Sequence, residues 1–319
     1  MKDILNTAIQ AVSEAAYICK EIQAQLVTED ALTKKDRSPV TIADFASQAI
    51  ICKALKAEFP DIPIVGEEDA NSLRKVENKA LLEKIGTFLP GWSKEEILDA
   101  IDQGNGEAEG RFWTVDPIDG TKGFLRGDQY AVALALIENG QVQMGVLGCP
   151  NLMLEGESES GLIAYAIKDQ GAFAANLQGK NERRIQASKN SATELVRFLE
   201  SVEAAHANHG LQGQIMDALG DKAQSVRFDS QVKYAVLAQG IAEVYLRLPN
   251  DIKPDYREKI WDHAAGMIIV LEAGGRVTDM FGKELDFTQG KKLLNNRGVM
   301  VSNGLVHDEI LELISKYRK

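Results

Sequence analysis

Apolar residues recur at three- and four-residue intervals at the start of the chain, at Ile4, Leu5, Ala8, Val12, Ala15, Ala16, Cys19, Ile22 and Leu26, and predict one long amphipathic helix. Lys34 to Pro39 reads as a polar loop. Thr41 is placed as the N-cap of a second helix that carries Phe45, Ala49, Ile50, Leu55 and Phe59 and is closed by Pro60 and Pro63. A short strand, Ile64-Val65, runs into Gly66-Glu67-Glu68. Residues 70 to 111 are polar, with two helical stretches and a Gly/Glu-rich tail, and read as an insertion with freedom to move.

From Phe112 the period changes to two. Phe112 to Val115 is a strand that runs into Asp116-Pro117-Ile118-Asp119-Gly120-Thr121. Tyr130 to Ile137 and Val142 to Leu147 flank Asn139-Gly140, a pair suited to the positive φ angles of a tight hairpin. Leu162 to Ile167 and Ala172 to Ala174 form a second hairpin, and Arg184 to Ala187 adds a strand. Beyond residue 188, strands near 198–202, 225–228, 244–246, 276–278 and 299–301 alternate with helical segments, one of them running from Asp262 to Ala273. The pattern predicts an α/β protein in two parts: an α+β half over residues 1–187 and an α/β half over 188–319.

Length and charge narrow the picture. At 319 residues the chain exceeds the size at which one core usually stops growing, which favours two packed domains. With 45% hydrophobic and 26% charged residues, disorder, collagen and coiled coil are excluded as whole-chain descriptions. The net charge of −11, with no basic run, argues against nucleic acid polymers as partners. No apolar run approaches the roughly 20 residues that a membrane span requires, and the N-terminus lacks a signal-peptide pattern, so the chain reads as cytoplasmic. Cys19, Cys52 and Cys149 are odd in number and widely spaced, which suits reduced buried thiols rather than disulfides or a zinc site.

The chemistry lies in the acids. Asp116 and Asp119 end a buried strand around a rigid Pro turn, an arrangement that either forms a turn or places two carboxylates at one sheet edge. Asp44, Glu67 and Asp262 each stand at the mouth of another element, where a capping box, a solvated strand end and a helix-dipole acid are the plain alternatives. Taken together, five carboxylates without a nearby cysteine favour Mg²⁺ or Mn²⁺ over zinc. No glycine-rich phosphate loop of the ATP-binding or dinucleotide-binding kind is present.

Ser38-Pro39-Val40-Thr41 leading to Asp44, Val65-Gly66-Glu67-Glu68, Asp116 to Thr121, and Trp261-Asp262-His263-Ala264-Ala265-Gly266 together resemble the inositol monophosphatase superfamily of Mg²⁺-dependent, lithium-sensitive phosphatases. Within it, Ser201-Val202-Glu203 with His206 and His209, Asp229 to Tyr234, Val244 to Pro249 and Glu258 to Asp262 are similar to the 3′(2′),5′-bisphosphate nucleotidase branch. Asn208 and Gly210 depart from that branch, which carries small hydroxyl and acidic residues there.

The resemblance implies a layered αβαβα sandwich, sugar-phosphatase-like, and a monomer. It implies that Glu67, Asp116, Asp119 and Asp262, with the carbonyl of Ile118, hold two or three Mg²⁺ ions. It assigns water activation to Asp44 and Thr121, and substrate contact to Thr121, His206, Ser230, Lys233, Arg247 and Asp262, while His209 and His263 read as structural. The reaction implied is removal of the 3′-phosphate of adenosine 3′,5′-bisphosphate to give AMP, with 3′-phosphoadenylyl sulfate as a further substrate. An inositol polyphosphate 1-phosphatase acting on inositol bisphosphates is the alternative within the same fold, and a catalytically idle nucleotide sensor the alternative outside enzymes.

Overall fold

The computed structural model describes residues 1–27, 38–153, 159–191, 195–202, 210–249 and 255–318; His206 and His209 lie outside them. Helix α1 (Lys2–Leu26) follows the predicted stripe, with Ala8, Val12, Ala15, Ala16, Cys19 and Ile22 buried. It packs along α2 (Ser38–Glu58). Strands β1 (Ile64–Gly66), β2 (Arg111–Asp119), β3 (Ala131–Glu138), β4 (Gln141–Cys149), β5 (Leu162–Ile167), β6 (Ala172–Asn176) and β7 (Arg183–Ile185) form one sheet in sequence order. β1 and β2 are parallel and every later pair is antiparallel.

Side-chain size explains how that sheet is covered. Along β3, Val132, Leu134 and Leu136 face α1 and α2, while Ala131, Ala133 and Ala135 face the other way; in β5, Ile163 and Tyr165 alternate with Ala164 and Ala166 in the same sense. The small residues admit a helix at close range. That helix is α8 (Ala264–Glu272), preceded in the chain by α6 (Leu211–Leu219) and α7 (Val232–Ala238). A Cβ on Gly145 of β4 would stand 2.7 Å from the Ala265 carbonyl of α8, so only glycine permits the contact.

The second sheet runs β11 (Arg276–Thr278), β12 (Val299–Ser302), β10 (Val244–Arg247), β8 (Val196–Glu200), β9 (Ala223–Arg227), parallel across β10, β8 and β9 and antiparallel at β12. α7 and α8 lie between the two sheets, and α6 packs with α9 (His307–Tyr317) on the outer face, where Ile215, Val306, Ile310 and Ile314 are buried. The result is five layers, helices alternating with sheets. The first sheet ends at Ile185 and the second begins at Val196, yet helices from the second half complete the core of the first.

Three expectations change. α2 begins at Ser38, so Thr41 sits inside it; Pro39 suits the first turn, where its missing N–H is not needed. α8 begins at Ala264, which leaves Asp262 in the preceding turn instead of at the helix start. Residues 70–111 are packed: α3 (Lys79–Phe88) and α4 (Lys94–Asp102) bury Leu82, Ile85, Phe88, Ile97 and Ile101 against α2. The capping box of α4, Ser93 with Glu96, is complete. Among the described residues no helix is long and apolar enough to cross a membrane.

Candidate active site

β2 ends in a bulge. Asp116 pairs with Ala133 and Asp119 with Ala131, so Pro117 and Ile118 fall out of register, at a place where proline costs no ladder hydrogen bond. The Ile118 side chain is buried in the first core, and Ser47 Oγ of α2 donates to the Pro117 carbonyl at 2.9 Å. Asp116 is 2% exposed and its Oδ1 has no hydrogen-bond partner. An unpartnered carboxylate oxygen at that depth is costly unless a proton or cation serves it. Burial, then the charges of Glu67, Asp119, Asp262 and Asp44, hold Asp116 well above the usual carboxylate range.

Asp44 belongs to the second turn of α2, which removes the capping-box explanation for it. Its carboxyl is also held well above its ordinary pKa, by burial and then by Glu68 and Glu67. Glu67 follows β1 at an exposed position, yet loss of solvent around its carboxyl, with Asp262, Glu68 and Asp119 nearby, raises it to about 7. The segment behind it is pinned: Gly66 N donates to Gly104 O at 2.7 Å and Gly106 N to Ile64 O at 2.8 Å. Thr121 is exposed at the first position of α5 (Thr121–Leu125), a short helix that packs against α2.

The other wall comes from the middle layer. Asp119 Oδ2 accepts from Gln231 N at 2.6 Å, which ties the β2 bulge to the start of α7. Ser230, just before, has φ +61°, rare for a residue other than glycine, and its Oγ accepts from Val232 N at 3.2 Å. Lys233 is 4% exposed, and its ammonium donates to Ser201 Oγ at 3.2 Å and the Phe228 carbonyl at 3.3 Å. Burial lowers it to about 8, against the pull of Asp119 and Asp229.

Arg247, at the end of β10, donates from Nη2 to Asp262 at 3.2 Å, and its Nε stands 2.7 Å from Glu258. Glu258 also meets His263 Nε2 at 3.2 Å, and His263 Nδ1 meets Tyr234 Oη at 2.7 Å. Burial pushes Glu258 up, but His263 and Arg247 together outweigh it and its pKa falls. Asp262 is raised by burial to about 6, with Arg247 and His263 pulling against the rise.

Asp44, Glu67, Asp116, Asp119 and Asp262 thus converge from α2, β1, β2 and the turn before α8, with the charges of this group helping to raise Asp44, Glu67, Asp116 and Asp262. Lys233 and Arg247 stand beside them. Glu68, Glu258 and Gln231 are the members that motif reading leaves without a role. Glu258 carries a signal in its spacing from Asp262, but its partner Arg247 is known only from the fold.

Two groups of acids could hold a hard divalent cation. Glu258, Asp262 and His263 offer atoms within 4.8 Å of one another, but the guanidinium of Arg247 already joins Glu258 to Asp262, which makes this an ion-pair network. The five carboxylates are spread more widely. Mg²⁺ keeps several waters and takes one or two carboxylates per ion, so a spread set of hard oxygens with an unserved Asp116 Oδ1 fits it.

The family model described as the inositol monophosphatase family matches residues 1–319. Members of that family depend on metal, generally Mg²⁺. The chain is 42% identical over 350 residues to 3′(2′),5′-bisphosphate nucleotidase 2 of Candida albicans, covering 99% of this chain and 97% of that one. It is 42% identical over 332 residues to a 3′(2′),5′-bisphosphate nucleotidase of Schizosaccharomyces pombe, covering 96% and 93%. Among solved structures, a Thermotoga maritima IMPase matches with a TM-score of 0.65 at 23% identity, covering 98% of this chain and 97% of that one, a likeness of fold. By its full-length match and by relatives of this identity, the chain belongs to the inositol monophosphatase family.

Proposed function

We propose that this protein is a Mg²⁺-dependent phosphomonoesterase that removes the 3′-phosphate of adenosine 3′,5′-bisphosphate to give AMP, with 3′-phosphoadenylyl sulfate as a second substrate and Li⁺ as an inhibitor. The observation that carries the chemistry is the convergence of five carboxylates, of which Asp44, Glu67, Asp116 and Asp262 are held above the usual carboxylate range by loss of solvent and by the charge of neighbouring acids. The names of the relatives supply the substrate class.

In this reading Glu67, Asp116, Asp119, Asp262 and the Ile118 carbonyl would hold two or three Mg²⁺ ions. Bound Mg²⁺ would neutralise phosphoryl oxygens and make water more acidic. The rest belongs to the chain. Hydrolysis forms a bond from water oxygen to phosphorus, breaks the bond to the 3′-oxygen, and moves one proton from the water towards the departing oxygen. Asp44, whose surroundings raise its proton affinity, takes the water proton, and Thr121 helps orient that water. Ser230, Lys233 and Arg247 receive the 5′-phosphate, Arg247 with a planar fork and Lys233 as a buried ammonium.

The test is phosphate release from adenosine 3′,5′-bisphosphate, inositol 1,4-bisphosphate and inositol 1-phosphate in parallel, with Mg²⁺, with EDTA and with added Li⁺. Fast Mg²⁺-dependent release from the nucleotide, blocked by Li⁺, is expected. Preference for an inositol phosphate moves the protein to a sister activity, and no release from any of the three overturns the enzymatic reading.

A further inference from the structure

Asp44, Ser47 and Gln48 stand at i, i+3 and i+4 on α2 and therefore share one face. Gln48 is fully buried, and its amide is spent on backbone. Its Oε1 accepts from Glu68 N at 3.0 Å, while Nε2 donates to the Glu68 carbonyl at 2.6 Å and to the Ile101 carbonyl at 3.0 Å. The amide does for Glu68 what a neighbouring strand would do, two residues past the end of β1. On the other side of Glu67, Gly66 is tied to Gly104. Glu67 is thus the residue between two fixed backbone positions.

The glycines on either side bear the mark of the same placement. A Cβ on Gly66 would come 2.5 Å from Gln48 Oε1, and one on Gly104 would come 2.6 Å from Gln48 Nε2. Two separate segments therefore stay free of side chain where this amide sits.

We propose that Gln48 is a positioning residue for the candidate cation site: it fixes the backbone from which Glu67 presents its carboxylate, and so sets cation affinity without touching the cation. The proposal rests on reading Glu67 as a metal ligand. A glutamine that merely satisfied the Glu68 and Ile101 backbone would change how much protein is folded. A positioning glutamine changes the affinity of the protein that is folded, since partners one step behind a ligand commonly contribute 10- to 100-fold in metal binding.

The experiment uses the full chain without substrate. Mn²⁺ dissociation constants are measured from the paramagnetic resonance signal of free Mn²⁺, beside thermal melts, for Gln48→Met, which keeps the length and loses the amide, and for Gly104→Ala, which pushes on the same amide from outside. Ile310→Val, in the outer layer, controls for lost stability alone. The dissociation constant is expected to rise roughly 10- to 100-fold in Gln48→Met, to rise in Gly104→Ala, and to stay put in Ile310→Val. Unchanged Mn²⁺ binding in folded Gln48→Met, or in Gly104→Ala should the first variant not fold, overturns the proposal. Glu67→Gln separates the two layers of the argument. Wild-type Mn²⁺ affinity in that variant overturns the ligand reading itself, whereas weakened binding there beside unchanged binding in Gln48→Met removes only the positioning role.

Discussion

The Arg247 guanidinium hydrogen-bonds Asp262 across 3.2 Å, so the arginine assigned to the second phosphate shares an ion pair with a carboxylate assigned to the cations. Glu258 takes the Nε side of the same guanidinium, which leaves Asp262 with only part of a counter-ion.

Arg247→Lys is expected to lose this geometry, because an ammonium cannot span two carboxylates as a planar fork does. KM for adenosine 3′,5′-bisphosphate should rise about tenfold or more, the size of one lost charge-assisted contact, and KM for adenosine 3′-monophosphate much less. Steady-state kinetics on both substrates decide it. Equal losses would mean that Arg247 acts through Asp262 alone.

Lys233 titrates near 8, below the usual lysine range, because it is buried. As pH rises through about 8 the free enzyme loses this positive charge, so KM for the bisphosphate should climb between pH 7.5 and 9.5 in steps of the protonated fraction. Lys233→Gln should raise KM at pH 7.5 and flatten the climb. For stability the sign is different: the folded protein binds fewer protons here than the unfolded chain between about 8 and 10.5, so burial of Lys233 destabilises less as pH rises through that window.

The acids make the metal-free protein sensitive to pH in the opposite sense. Glu67 at about 7 and Asp262 at about 6 lie above their ordinary values, so the folded state holds more protons than the unfolded chain between about pH 4 and 7. Their stabilising contribution is complete below pH 4 and is lost as pH rises to 7. In EDTA, Glu67→Gln should therefore melt higher than the wild type at pH 7.5 and close to it at pH 4.5. With millimolar Mg²⁺ the order at pH 7.5 should invert, because the wild type gains more from the ion. Scanning calorimetry in the two buffers tests both halves.

Asp44→Asn should keep the fold and most cation affinity while turnover falls by roughly 10²- to 10⁴-fold, the usual weight of a general base. Mn²⁺ titration and phosphate release on one preparation separate the two effects. Wild-type turnover in this variant would remove Asp44 from the catalytic role.

Much of the architecture was legible because its causes are local. The α1 stripe needs only a 3.6-residue period, and the β3–β4 turn needs two positive φ angles, which Asn139 at +51° and Gly140 at +76° supply. The α2 start was misplaced because Thr41 is a good cap in isolation, whereas Pro39 made an earlier turn available. Residues 70–111 looked loose since their polar residues outnumber the apolar ones, but Leu82, Ile85, Phe88, Ile97 and Ile101 are buried in the core that includes α2. At the site, the acids stood out as motifs. What held them did not: Gln48 reaches Glu68 across 20 residues and Gln231 reaches Asp119 across 112, distances at which spacing says nothing.

The layer formed by α7 and α8 has a consequence for how the protein comes into being. The alanine face of the first sheet, Ala131, Ala133, Ala135, Ala164 and Ala166, finds its cover in α7 and α8, which are made long after β3. During synthesis, a chain that has emerged only as far as β7 carries four of the five clustered acids, Asp44 on α2 and Glu67, Asp116 and Asp119 at the sheet edge, beside a sheet with one bare apolar side. The fifth, Asp262, arrives with the helix that closes that side. With Asp262 as one of the proposed ligands, cation binding would become complete only when the sandwich itself is closed, so an ion held tightly by this chain would mark one that has finished folding.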